Sequence, residues 1–175
     1  SRLIAPGTVH ETGLSNSLFI GSEKASEADI KTIESVFTGA GIRAEGKKNI
    51  LEALWTKFIF LCPLATLTSA FDAPIGVVLD TDSNQETLLK LMEEIDAISR
   101  AKGIQLPPDI LGETLAKIHK LPYDTTSSMQ NDFSRGRKTE IESLTGYVVR
   151  LGKEMHISTP LHEKFLTDLI QRKAH

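Results

Sequence analysis

One cysteine, Cys62, stands in the 175 residues, so neither an internal disulfide nor a cysteine-based zinc site can form within the chain. That usage fits a reducing compartment, and a cytoplasmic location is the expectation. No basic excess exists: 20 Lys and Arg face 23 Asp and Glu, for a formal net charge of −3. Nothing in that balance marks a nucleic-acid partner or an anionic membrane surface. The five histidines are scattered without metal-ligand spacing such as HExxH, so no metal is expected. Neither GxGxxG nor GxxxxGK[ST] occurs, which leaves the sequence without a recognisable nucleotide-binding loop of its own. No apolar run reaches the roughly 20 residues of a membrane-spanning helix. The longest, "FIFLCPLATLTSAF" at 58–71, is shorter and carries Pro63, and we read it as buried helix. No signal peptide is expected, and the sequence shows no internal repeat and no low-complexity segment. The first residues, "SRLIAPGT", lack a methionine, and the chain is expected to be a piece of something longer.

What is present is enough apolar residue, 40%, to form a core. Residues 2–22 read as strands, with turns at Pro6-Gly7 and Gly13 and a short apolar run "SLFIG". "SEADIKTIESVFTGAG" follows as a helix capped by Ser26 and ended by Gly39 and Gly41. "IRAEG" adds one more strand, giving a β-β-α-β opening. From Asn49 onward the pattern is almost wholly helical. Ser83 and Glu86 have capping-box spacing, Pro107-Pro108 opens another helix that Pro122 closes, and Thr159-Pro160 opens the last. Apolar residues at Ile141, Leu144, Val148, Leu151 and Met155 recur at helical spacing after Thr139. The predicted fold is mainly α: a small α/β piece over residues 1–47, then an all-helical domain over 48–175, with "EGKKN" as the joint.

Two stretches raise chemical questions. At about 100° per residue, Lys57 falls among the apolar positions of its helix, between Phe60 and the Ile50/Leu61 edge. One reading is a lysine that snorkels, its stem packed and its ammonium in water. The other is a partly desolvated lysine suited to proton transfer, with a carboxylate partner. The second stretch is "SSMQNDFSRGRKTEIESLTG" at 127–146. Ser128 reads as a helix cap, Arg135, Arg137 and Lys138 as a solvated cluster, and Thr139 with Glu142 as a capping box that puts Glu140 at the first helical position.

Three stretches, in order, resemble the C-terminal half of the ketopantoate reductase (2-dehydropantoate 2-reductase) family. "ALWTKF" is similar to the family's Leu-Trp-x-Lys helix. "SSMQNDFSRGRKTEIESLTG" is similar to its Ser-Met-x-x-Asp … Arg-x-Thr-Glu-Ile-x-x-x-x-Gly signature. "ISTPLHEKF" is similar to its closing Thr-Pro segment. The resemblance spans nearly the whole chain, and the middle signature is the most specific part. It implies the end of an N-terminal Rossmann domain followed by a helical-bundle domain of the 6-phosphogluconate dehydrogenase C-terminal type. The glycine-rich loop would then lie upstream of Ser1. The resemblance implies NADPH as cofactor, bound mainly by the absent N-terminal domain, and a small 2-keto acid as substrate, most simply ketopantoate in pantothenate biosynthesis. It implies Lys57 as the catalytic proton donor, Glu140 as a contact to the cofactor ribose and Ser128 as a ligand of the substrate carboxylate.

The sequence departs from the family at three positions. Leu61, Ala65 and Ile75 stand where the family usually has asparagine. A less polar 2-keto acid on the same scaffold is therefore the alternative substrate. A non-catalytic helical interaction module, including a homodimer formed through the apolar faces of 84–102 and 141–155, is the alternative outside enzymology. The fragment alone is expected to be inactive.

Overall fold

The computed structural model describes residues 2–10 and 17–173. Two compact units divide the chain, Ser1–Ala53 and Leu54–His175. The sequence puts the joint at 47/48; the division between compact units falls six residues later, inside a helix.

In the first unit, β1 (Arg2–Ala5) and β2 (Thr8–His10) form an antiparallel hairpin. Gly7 turns it with φ +75, a conformation open to glycine without steric cost. β3 (Ser17–Ile20) pairs in parallel with β4 (Arg43–Gly46), and α1 (Glu27–Gly39) is the crossover between them. The order is thus β-β-β-α-β, one strand more than expected, because the Pro6-Gly7 turn splits the first stretch in two. The expected turn at Gly13 lies outside the described residues. Ser26 caps α1 as predicted, in a reciprocal capping box with Asp29. Among its described residues this unit buries none, and Phe19, Ile33, Val36 and Ile42 are exposed. A two-stranded parallel sheet with one helix has too little apolar surface to make a core.

The all-helical part begins with α2 (Ile50–Phe71), whose N-terminus is capped by the Asn49 side-chain Oδ1, which accepts from Glu52 N–H at 3.2 Å. At 22 residues, with an 18-residue stretch of mean hydropathy 1.6, it is long and apolar enough by length and composition to cross a membrane. Its C-terminal half is buried: every residue from Cys62 to Ser69 is buried, and it runs through Pro63 without ending. It is followed by α3 (Ile75–Val78), α4 (Asp82–Ala101), α5 (Ile110–His119), α6 (Ser128–Ser134), α7 (Thr145–Met155) and α8 (Pro160–Lys173), with α5, α7 and α8 packed against α4. The core includes Ile59 and Leu67 of α2, Leu88, Leu91, Met92, Ile95 and Ile98 of α4, Ile110 and Ile118 of α5, Met129 of α6 and Leu169 of α8. Each such side chain contributes about 1.5–3 kcal/mol on burial.

Two predicted caps are replaced. Thr81, not Ser83, caps α4, its hydroxyl accepting from Asn84 N–H at 3.3 Å. At α8 the Thr159 hydroxyl is buried without a partner. The first turn is capped instead from α4: Glu94 accepts from Leu161 N–H at 2.8 Å and His162 N–H at 3.1 Å. A carboxylate at a helix N-terminus is favoured by both the free donors and the dipole, and tertiary packing supplies a stronger acceptor than the local hydroxyl.

Candidate active site

All three residues singled out for chemistry, Lys57, Ser128 and Glu140, belong to the second unit. Lys57 stands on α2 and is exposed. The desolvated reading of Lys57 is corrected on that point. Leu54 is 54% exposed, and Phe58, Phe60 and Leu61 are only half-buried. The apolar arc of α2 is wider than the face its own unit covers, so apolar neighbours on the helical wheel do not bury this lysine. Nor is the expected carboxylate partner engaged: among the described residues, no ion pair or hydrogen bond joins Lys57 to Glu140.

Ser128 is the first residue of α6 and is exposed, and the capping role read for it falls to Ser127. Ser127 is buried; its hydroxyl accepts from Gln130 N–H at 3.0 Å and lies 2.8 Å from the Thr68 hydroxyl of α2. Thr68 spends its one proton on Leu64 O at 2.8 Å, so Ser127 is the donor between the two. The segment leading into α6 is held further by Ile75 N–H to Thr125 O at 2.8 Å and Gly76 N–H to Tyr123 O at 3.0 Å. The basic cluster that follows closes α6. Gly136 takes φ +62, Arg137 N–H returns to Asp132 O at 2.8 Å, and Arg135, Arg137 and Lys138 are exposed, as the solvated reading has it.

Glu140 is exposed, on a turn rather than on a helix. The capping box of Thr139 and Glu142 does not form. The Thr139 hydroxyl is buried without a partner, and Glu142 meets Arg150 at 3.2 Å. Glu140 O accepts from Ser143 and Leu144 N–H, and Gly146 N–H reaches back five residues to Ile141 O at 2.8 Å. Leu144, with ψ −92, then leaves helical geometry, and α7 starts at Thr145. The reason is tertiary. Ile141 and Leu144 turn into the core, and the Thr145 hydroxyl lies 2.8 Å from that of Thr66 on α2. Tyr147, one turn into α7, packs edge-on against Phe58, the neighbour of Lys57, with centroids 5.8 Å apart.

So α2 is the common frame. It carries Lys57 directly, holds the neighbour of Ser128 through Thr68 and holds the turn bearing Glu140 through Thr66. Sequence reasoning missed this quartet of hydroxyls. The signal was available: Thr66 and Thr68 interrupt an otherwise apolar run, and buried hydroxyls require partners. The three candidate side chains present an ammonium, a hydroxyl and a carboxylate to solvent, and none has a side-chain partner among the described residues.

The three departures from asparagine take different places. Leu61 is half-buried, while Ala65 and Ile75 are buried at 1% and 2% exposure. The last two are part of the packed interior.

A mainly helical unit, preceded in sequence by a small unit with a parallel β-α-β crossover, defines the class: a mainly α chain with a small α/β unit ahead of its helices. The chain belongs to the ketopantoate reductase family, whose model described as "Ketopantoate reductase PanE/ApbA C terminal" matches residues 49–174. It is 26% identical over 175 residues to the "Uncharacterized oxidoreductase YkpB" of Bacillus subtilis strain 168, covering 99% of this chain and 58% of that protein. It is 30% identical over 184 residues to a 2-dehydropantoate 2-reductase of Aquifex aeolicus, covering 99% and 57%. Among solved structures, a PanE/ApbA family ketopantoate reductase from Ralstonia eutropha JMP134 superposes with TM-score 0.87 at 26% identity, covering 98% of this chain and 56% of that one. The chain thus spans a little over half the length of these relatives.

Proposed function

We propose that this chain is the C-terminal part of an NADPH-dependent 2-keto acid reductase, with ketopantoate as the first substrate to test. The observation that carries the reading is the set of three unpartnered side chains, Lys57, Ser128 and Glu140, on segments fastened to one helix. Bound nicotinamide cofactor supplies the hydride that adds to the keto carbon. The Lys57 ammonium stabilises the oxygen charge that develops and gives it a proton, help worth about 10²–10⁴-fold. The Ser128 hydroxyl donates to the substrate carboxylate and fixes its orientation. The Glu140 carboxylate accepts from a ribose hydroxyl, a role its exposure and lack of an internal partner suit. Exposure of Lys57 fits a group covered by the nucleotide-binding part of the whole protein. The coreless first unit supports the same view, because its exposed apolar residues fit a larger α/β domain. The reaction and the reducing cofactor both agree with a cytoplasmic setting.

The test is turnover of the full-length protein with NADPH and ketopantoate. Lys57→Ala is expected to cut turnover by at least a hundredfold; a loss under about tenfold counts against the proton-donor role. The fragment alone is expected to show no turnover, since its sequence has no dinucleotide loop.

A second reading is favoured by Leu61, Ala65 and Ile75, which offer no amide to substrate oxygens. On that reading the substrate is a less polar 2-keto acid. Keto acids of increasing side-chain size, assayed with the full-length protein, separate the two; preference for ketopantoate itself would dispose of the second.

A further inference from the structure

The second unit fastens the segments that carry Ser128 and Glu140 to α2 by separate side-chain hydrogen bonds. Thr66 meets Thr145 at 2.8 Å, across 79 residues of sequence, and Thr68 meets Ser127 at 2.8 Å, across 59. Thr66, Thr68 and Thr145 are fully buried and Ser127 is 5% exposed, so water is not an alternative partner for these hydroxyls. Positions two apart on a helix point about 200° away from each other. The two bonds therefore leave opposite flanks of α2, and a slide or rotation of either neighbour breaks only its own.

Each bond is made by a residue on the same short segment as one candidate residue. Ser127 adjoins Ser128, and its hydroxyl also caps α6, so its orientation sets the first turn on which Ser128 stands. Thr145 closes the turn that begins at Glu140, whose carbonyl accepts from Ser143 and Leu144. Lys57 lies on the helix both bonds share. Resting on the functional reading above, we propose that Thr66 and Thr68 are positioning residues with separate duties. Thr68, through Ser127, sets the group that binds the substrate carboxylate. Thr66, through Thr145, sets the group that meets the cofactor.

Backbone bonds from Ile75 and Gly76 continue to hold the 123–125 segment when the Thr68 bond is lost, and the Phe58–Tyr147 contact continues to hold α7 when the Thr66 bond is lost. Removing one bond is thus a local displacement.

The experiment uses the full-length protein and the Thr68→Val, Ser127→Ala, Thr66→Val and Thr145→Val variants. Thr68→Val and Ser127→Ala are expected to raise KM for the keto acid about tenfold while the cofactor KM changes little. Thr66→Val and Thr145→Val are expected to raise the cofactor KM by a similar factor and leave the keto-acid KM alone. Thr68→Ser and Thr66→Ser keep the hydroxyl and are expected to restore wild-type constants. Hydrogen exchange supplies a readout free of activity: faster exchange confined to 125–131 for the Thr68 pair and to 140–147 for the Thr66 pair. All four variants shifting both KM values alike, or exchange rising equally in both segments, overturns the proposal. A wild type that reduces no 2-keto acid defeats the functional reading instead, and exchange then decides whether the two bonds act separately.

Discussion

The Glu94 carboxylate of α4 lies 2.6 Å from His162 Nδ1 on α8, and the opposite ring nitrogen, Nε2, faces Cys62 Sγ of α2 at 3.8 Å. His162 and Cys62 are fully buried. Burial pushes the Cys62 thiol up to about 12, so it carries its proton. Burial also pushes His162 below its ordinary range, outweighing the pull of Glu94. One proton arrangement satisfies the array: Cys62 S–H donates to Nε2, and Nδ1–H donates to Glu94. Three helices are locked by it.

Glu94→Ala is expected to destabilise the helical unit by about 2–4 kcal/mol, because it strands two backbone donors and an imidazole N–H. Glu94→Gln keeps an acceptor oxygen and is expected to cost less. Urea denaturation followed by helical circular dichroism checks both. Equal stability of wild type and the alanine variant would show that Glu94 is dispensable to α8.

Acid sensitivity follows from His162. Its folded-state pKa is depressed, so below about pH 6.5 the unfolded chain takes up a proton that the folded one refuses. Stability is then lost as pH falls, by up to about 1.4 kcal/mol per pH unit until the folded group titrates. Denaturation midpoints between pH 5 and 8 measure the slope, and His162→Gln is expected to flatten it.

The alkaline limb belongs to Cys62. With its pKa raised from 9.0 to about 12, the folded state keeps a proton that the unfolded state gives up above pH 9. Stability falls through that window at a similar slope, and Cys62→Ala is expected to remove this part of the loss. In the folded protein at pH 8 a thiol reagent is expected to react only as fast as the unit opens; rapid labelling without denaturant would contradict the burial.

Gly76→Ala is expected to be among the costlier single-methyl changes. A Cβ there would fall 2.3 Å from Tyr123 Cδ2 and 2.5 Å from Tyr123 O. The ring can move; the carbonyl is tied to Gly76 N–H and cannot. Strain of about 1–3 kcal/mol is expected, read as a lower urea midpoint, with the 123–127 segment displaced. An unchanged midpoint would show that this segment is free to shift.

Elements set by neighbours in sequence were legible in it. Ser26 with Asp29, Asn49 before α2, and Pro160 at the start of α8 act within one turn of themselves, so spacing and side-chain chemistry suffice to place them. The start of α7 was not legible. Thr139 and Glu142 have capping-box spacing, yet Thr66 captures Thr145 from another helix and the chain turns first. Of the two readings of Lys57, its exposure agrees with the ammonium in water and not with the desolvated one; periodicity alone could not choose, because it reports which residues share a face and not what covers that face.

The sequence by itself determined a mainly helical chain after Asn49, the family, and which three side chains to watch, since motif order and helical periodicity are properties of the linear string. Tertiary structure alone decided that Glu94 caps α8, that Ser127 rather than Ser128 is committed to structure, and that Thr66 and Thr68 fasten two distant segments to α2. Those choices depend on which buried hydroxyl or carboxylate comes within hydrogen-bonding distance once the helices pack, and no local spacing encodes that distance.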